Sequence, residues 1–122
     1  MKLIVINPPR LSNGYYVVRE EKVSQLQDIK SNPYTLSSAL GLLRNRLNNI
    51  KIKAIDAQAD DLNIKQTIEK IDEYQPDLAI IFLSAFALPE DRIIAEKIEC
   101  PVIGVLTPVS YTHLTLPTTP YV

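Results

Sequence analysis

Strand-like and helix-like segments alternate along residues 2–108, and this alternation constrains the fold more than any other feature of the chain. In "KLIVINPP", Leu3, Ile4, Val5 and Ile6 form an unbroken apolar run, as expected of a strand buried on both faces of a parallel sheet. Pro8 and Pro9 end it, since neither can donate to a ladder. From Pro33 the period changes: Leu36, Ala39, Leu40, Leu43 and Leu47 fall on one stripe of a helix, with Arg44, Asn45 and Asn48 facing outward. Ser31 or Asn32 is placed to cap it, and Pro33 suits its first turn. "IKIKAIDA" then alternates Ile50, Ile52 and Ala54 with Lys51 and Lys53, which predicts an edge strand with one wet face. Asn63 and Gln66 make a capping-box pattern ahead of Ile64, Ile68 and Ile71. That second helix is expected to stop at "QPD", because the residue before Pro76 is pushed out of helical geometry. "LAIIFLS" is the most apolar strand and should be central. A third helix is predicted over 89–99, with Ile94, Ala95 and Ile98 inward, and "CPVIGVLT" supplies a fourth strand.

The order β-α-β-α-β-α-β predicts an α/β fold, a parallel sheet with helices on both faces. Strands one and three are the most apolar and strand two is half charged, which favours the strand order 2-1-3-4. A ligand then belongs outside the carboxyl ends of the strands, at the switch point between strands one and three. The residues expected to line that edge are Asn7, Pro8, Pro9 and Arg10, with Asp56, Ala57, Ser84 and Ala85. Pro8 and Pro9 would fix its wall, Ser84 could donate a hydrogen bond and Asp56 could accept one. Equally, the prolines could only end a strand and Asp56 only cap a turn.

The residues at the strand ends exclude several chemistries of this architecture. No G-x-G-x-x-G comes after strand one, and the only glycines are Gly14, Gly41 and Gly104. There is no Walker loop. Asn7 and Ser84 stand where a phosphorelay receiver needs acidic residues, and there is no nucleophile-elbow G-x-S-x-G. The one histidine is His113, so residues 1–108 hold no histidine-based general base or metal cluster. No catalytic residue or metal ligand is assigned. Asp60 and Asp61 are read as a solvated pair near a helix start. Cys100 is alone and cannot form an internal disulfide, which fits a reduced, cytoplasmic setting. A net charge of -1 argues against a nucleic-acid partner. The longest apolar runs fall far below the roughly 20 residues of a membrane span.

Two segments stand apart from the alternation. Residues 10–32, containing Gly14, Tyr15, Tyr16 and "REEK", exceed the usual length of a βα connection, which suggests function rather than mere linkage. Residues 109–122, "VSYTHLTLPTTPYV", carry neither strand nor helix periodicity. Back-translated as GTC TCT TAT ACA CAT CTG ACG CTG CCG ACG, Val109 to Thr118 is similar to one reading frame through a transposon-type sequencing adaptor. Residues 1–108 are therefore expected to form one domain, incomplete at its C-terminus, and 109–122 a non-native tail.

"INPPR" closing the first strand, "GYY" in a long loop, "NPYTLSSALGLLRNRL", "KIKAIDAQADDLNI" and "IDEYQPDLAIIFLSA" together resemble the amino-terminal cobalamin (B12)-binding domain of B12-dependent radical S-adenosylmethionine proteins. The resemblance covers nearly all of residues 2–108, and the order and spacing of its short motifs carry it. It implies a Rossmann-like (flavodoxin-like) three-layer domain that binds cobalamin over its carboxyl edge, at the residues named above. It also implies a following barrel, absent here, that binds S-adenosylmethionine and a [4Fe-4S] iron-sulfur cluster through C-x-x-x-C-x-x-C. This chain departs from the wider group of cobalamin domains in lacking D-x-H-x-x-G, so any cobalamin would have no protein imidazole on cobalt.

Two function classes remain. One is the cobalamin-binding module of a radical enzyme, itself inactive without the barrel as its partner. The alternative is a cofactor-free, flavodoxin-like ligand-sensing or protein-interaction domain. Under either, Tyr15 and Tyr16 are expected in a mobile loop that orders only against a ligand or the missing barrel.

Overall fold

A computed structural model describes residues 1–19, 24–27, 34–84 and 86–107. The expected helix start at Ser31, Asn32 and Pro33, the site residue Ala85, and residues 108–122 lie outside the described residues. In chain order the elements are β1 (Lys2–Asn7), β2 (Tyr16–Arg19), β3 (Ser24–Gln27), α1 (Tyr34–Arg46), β4 (Lys51–Asp56), α2 (Ile64–Tyr74), β5 (Leu78–Ser84), α3 (Leu88–Lys97) and β6 (Val102–Thr107). β4, β1, β5 and β6 pair in that order, all parallel. Counting the parallel strands alone, this is the order 2-1-3-4 of a Rossmann-like sheet, read from the apolar ranking of the strands.

The unbroken apolar run of β1 is explained by the two faces it serves. Ile4 and Ile6 point into a core shared with Ile55, Ile81, Ile71 of α2 and Ile94 of α3. Val5, one residue out of phase, points to the other face and packs with Leu36 of α1 and with Phe82. Side chains alternate across a strand, so a strand covered by helices on both sides has no position left for a polar residue. The third layer, α1, uses the stripe read from the sequence: Leu36 is buried, and Ala39, Leu40 and Leu43 pack behind it.

Local signals set the helix ends. Asn63 caps α2 with its side chain on the Gln66 N–H at 2.7 Å, and Gln66 Oε1 accepts from the Asn63 N–H at 3.0 Å. Thr67 adds a hydroxyl bond to the Asn63 carbonyl at 2.7 Å. Gln75, ahead of Pro76, leaves the helix in the left-handed region at φ 53. At the start of α3, Pro89 sits in the first turn, where no intrahelical N–H is needed.

Two expectations need correction. β4 is an edge strand, but it has no single wet face. Ile52 packs toward α1, whereas Ile55, on the same side as Lys51 and Lys53, is buried in the opposite core. That side changes from wet to dry along the strand as it runs beneath α2, and the Lys53 ammonium lies 5.2 Å from the Tyr74 ring centre. The 10–32 excursion, expected to hold Tyr15 and Tyr16 in a mobile loop, contains an antiparallel pair of strands in which Tyr16 pairs with Gln27 and Val17 with Leu26. Tyr15 is exposed and Tyr16 half-buried, so neither ring sits in the core, yet both precede or belong to regular structure. Among the described residues, no helix is long and apolar enough to cross a membrane.

Candidate functional site

The parallel register brings the strand ends to one edge. Asn7 lies opposite Asp56, and Ile6 opposite Ile81, so Ser84 stands two residues beyond the level of Asn7, roughly 6.6 Å further along the strand direction. Asn7, Pro8, Pro9, Arg10, Asp56, Ala57 and Ser84 therefore share the carboxyl edge, while the eighth expected residue, Ala85, is outside the described residues. Their exposure divides them. Arg10 is exposed and Asp56 half-buried, but Asn7, Pro8, Pro9, Ala57 and Ser84 are buried.

The turn after β4 is built by Asp56. Its Oδ1 accepts from the Asn7 carboxamide at 2.8 Å and from the Ala59 N–H at 3.2 Å. The Asp60 N–H donates to the Asp56 carbonyl and the Leu62 N–H to the Ala57 carbonyl, while Asp61 adopts a left-handed φ of 52. Asp56 thus does cap a turn, and the cap has a consequence for the edge: it holds Gln58 pointing over the strand ends. The Gln58 carboxamide accepts from the Val17 N–H at 2.7 Å and donates to the Val17 carbonyl at 2.9 Å. One side chain takes the place of a neighbouring strand for β2. Its Nε2 is also 3.4 Å from Asn7 Oδ1.

The segment ahead of β2 is fixed by its own turn. The Leu11 N–H donates to the Tyr15 carbonyl, the Gly14 N–H to the Leu11 carbonyl, and the Tyr15 N–H to Asn13 Oδ1. Gly14 has φ 95, a conformation that a side chain would strain. Polar bonds attach this segment to the body: the Ser12 N–H to Glu90 Oε1 at 3.0 Å, and the Tyr16 hydroxyl to Asp61 Oδ1 at 3.1 Å. Arg10 donates to the same hydroxyl at 3.0 Å. A small cluster of Leu11, Val17 and Ala87 completes the attachment. Beside it a cleft of about 390 Å³ runs between Leu11 and Ser12 on one side and Leu62 to Lys65 on the other.

At the β5 end, the buried Ser84 N–H donates to Asp91 Oδ2 at 3.2 Å, and Ser84 Oγ accepts from the Phe86 N–H at 3.2 Å. Here the Ser84 side chain acts as an acceptor and turn former, and its backbone as the donor to Asp91. Gln58 and Asp91 were not singled out by sequence reasoning. Only their positions gave a signal, Gln58 inside the loop after strand two and Asp91 in the first turn of a helix.

A cleft of about 420 Å³ lies at the opposite, amino-terminal edge, lined by Asp72, Asp77, Glu99 and Cys100 among others. Burial pushes the Cys100 thiol above its ordinary pKa, and the nearby Asp72 and Asp77 charges push the same way against a backbone hydrogen bond. Among the described residues, no group of three or more His, Cys, Asp and Glu side chains is placed to hold a metal ion. In comparisons with known proteins, no family model, curated protein or solved structure matches the chain.

Proposed function

We propose that residues 1–108 are a cobalamin-binding module of a B12-dependent radical S-adenosylmethionine enzyme. The supporting observation is the convergence of Asn7-Pro8-Pro9 with Asp56-Ala57 and Ser84 at the switch point of a 2-1-3-4 sheet, the edge at which ligands of open α/β sheets bind. The donor set suits the group. A corrin carries a rim of amide side chains, and the carboxamides of Asn7 and Gln58 with the hydroxyl of Ser84 are neutral donors and acceptors of matching chemistry. Cobalamin would supply organometallic chemistry at cobalt, and residues 1–108, which hold no histidine, would offer cobalt no imidazole. Asn7, Gln58 and Ser84 would hold the corrin's periphery, and Pro8 and Pro9 would form a wall without backbone donors. S-adenosylmethionine and the [4Fe-4S] cluster belong to the barrel partner in this reading.

One observation favours the alternative of a cofactor-free sensing or interaction domain. The edge is closed: Ala57 and Ser84 have 0% exposure, and the Gln58 carboxamide is already engaged with Val17 and Asn7. Titrating cobalamin into the protein separates the two readings. A shifted corrin absorption that saturates with protein is the expected result; a spectrum unchanged by the protein would overturn the cofactor reading. The reading frame downstream of codon 107 gives an independent check, because the proposal requires C-x-x-x-C-x-x-C within it.

A further inference from the structure

We infer that the segment from Arg10 through β2 is a strap that opens and closes over the switch point as a unit, with the Gln58 carboxamide as its latch. The bonds on either side of the latch are independent of it. Within the strap, the Leu11–Tyr15 turn has its own hydrogen bonds, and β2 has its ladder with β3. Within the body, the turn that carries Gln58 is held by Asp56 and by the Leu62 and Asp60 amides, none of which involves the strap. Opening therefore breaks none of these bonds.

Polar bonds cross the interface between the two. Among the described residues these are the paired bonds from Gln58 to Val17, the Ser12 bond to Glu90 and the Tyr16 bond to Asp61, beside a satellite apolar cluster separate from both main cores. The adjoining cleft leaves Leu11 and Ser12 without close packing against the start of α2. Regions with few buried apolar contacts open at a lower free energy than core strands. Opening would uncover Asn7 Oδ1 and the Gln58 carboxamide, both engaged in the closed state, beside buried Pro8 and Ala57. The inference rests on the proposed function only for the identity of what enters; the motion itself does not require cobalamin.

Amide hydrogen exchange on the full chain without cobalamin tests it. The Val17 and Ser12 amides are expected to exchange at least about 100-fold faster than the Val5 and Ile80 amides of β1 and β5. Gln58→Leu keeps the volume and removes both bonds, so Val17 exchange should rise about tenfold. The discriminating amide is that of Ser12, which bonds Glu90 and does not touch Gln58: it should rise by the same factor, while Leu11 and Gly14, bonded inside the strap, stay as they were. Gln58→Glu, which still accepts but no longer donates, should show the same pattern to a smaller degree. A rise at Val17 alone would overturn the inference, as would an equal rise at Val5 and Ile80, or Val17 and Ser12 exchanging at the core rate in the unaltered chain. A separate arm adds cobalamin: an unchanged corrin spectrum with cooperative strap opening would remove the cofactor and leave the strap.

Discussion

Asp56 joins two strand ends through a single carboxylate oxygen, which receives both the Asn7 carboxamide and the Ala59 N–H. Asp56→Ala leaves both donors at a half-buried edge without that acceptor, so a loss of about 1–3 kcal/mol is expected in urea unfolding. A midpoint unchanged by the substitution would show that water replaces the carboxylate freely. Cys100 gives a pH-dependent prediction. Its thiol is held protonated by burial first, with Asp72 and Asp77 adding to the effect. Alkylation of the folded chain should therefore rise with pH through a midpoint above that of a free cysteine, and Asp72→Asn should lower that midpoint only in part, because burial remains. The linkage has a definite sign: a folded pKa above the unfolded one gives stability that is present below the unfolded value and is lost as pH rises through the folded value. Asn7, Asp56 and Ser84 were legible in the sequence because apolar runs locate strand ends. Gln58 was not, since its partner Val17 lies 41 residues away and nothing local marks the pairing.

Elements with short-range causes are legible in the sequence, and those with long-range causes are not. α2 is legible from its start because Asn63 and Gln66 satisfy each other within one turn. Replacing Asn63 by Ala removes the acceptor for the Gln66 N–H and should cost about 1 kcal/mol, with helix fraying visible in the exchange of amides 64–66. Full stability in that variant would mean that the tertiary packing of Ile71 alone fixes the helix start. The pair of β2 and β3 illustrates the opposite case. β2 and β3 have four residues each, too few for alternation to stand out beside charged neighbours. What places β2 is a docking surface made by Gln58 and Ala87, residues that periodicity in 10–32 cannot reveal. β4 misleads for a related reason: its lysines suggest one wet face, but on that same side Ile55 is buried in the core it shares with Ile71 of α2.

At the scale of the molecule, the described residues close the sheet within residues 2–107. β1 is flanked by β4 and β5, β6 closes on β5 with Ser84 opposite Thr107, and the buried cluster residues of both main cores fall between Ile4 and Ile98. Among the described residues β6 is the other edge strand, with Ile103 40% exposed and Val102 and Val105 half-buried. An uncovered edge invites pairing between chains, which a domain of this size, with about 5–15 kcal/mol of net stability, can tolerate while it remains folded. The reading of 109–122 as a non-native tail then yields a direct comparison. A chain ending at Thr107 keeps every described strand of the sheet and each of the two described helical layers, so its urea midpoint should lie within about 0.5 kcal/mol of that of the full chain. The slope with denaturant should also be unchanged, because it scales with the surface exposed on unfolding, and that surface belongs to the same cores. A lower midpoint together with a smaller slope would mean that residues 108–122 bury surface in the native state, and the tail would then have to be counted as part of the fold.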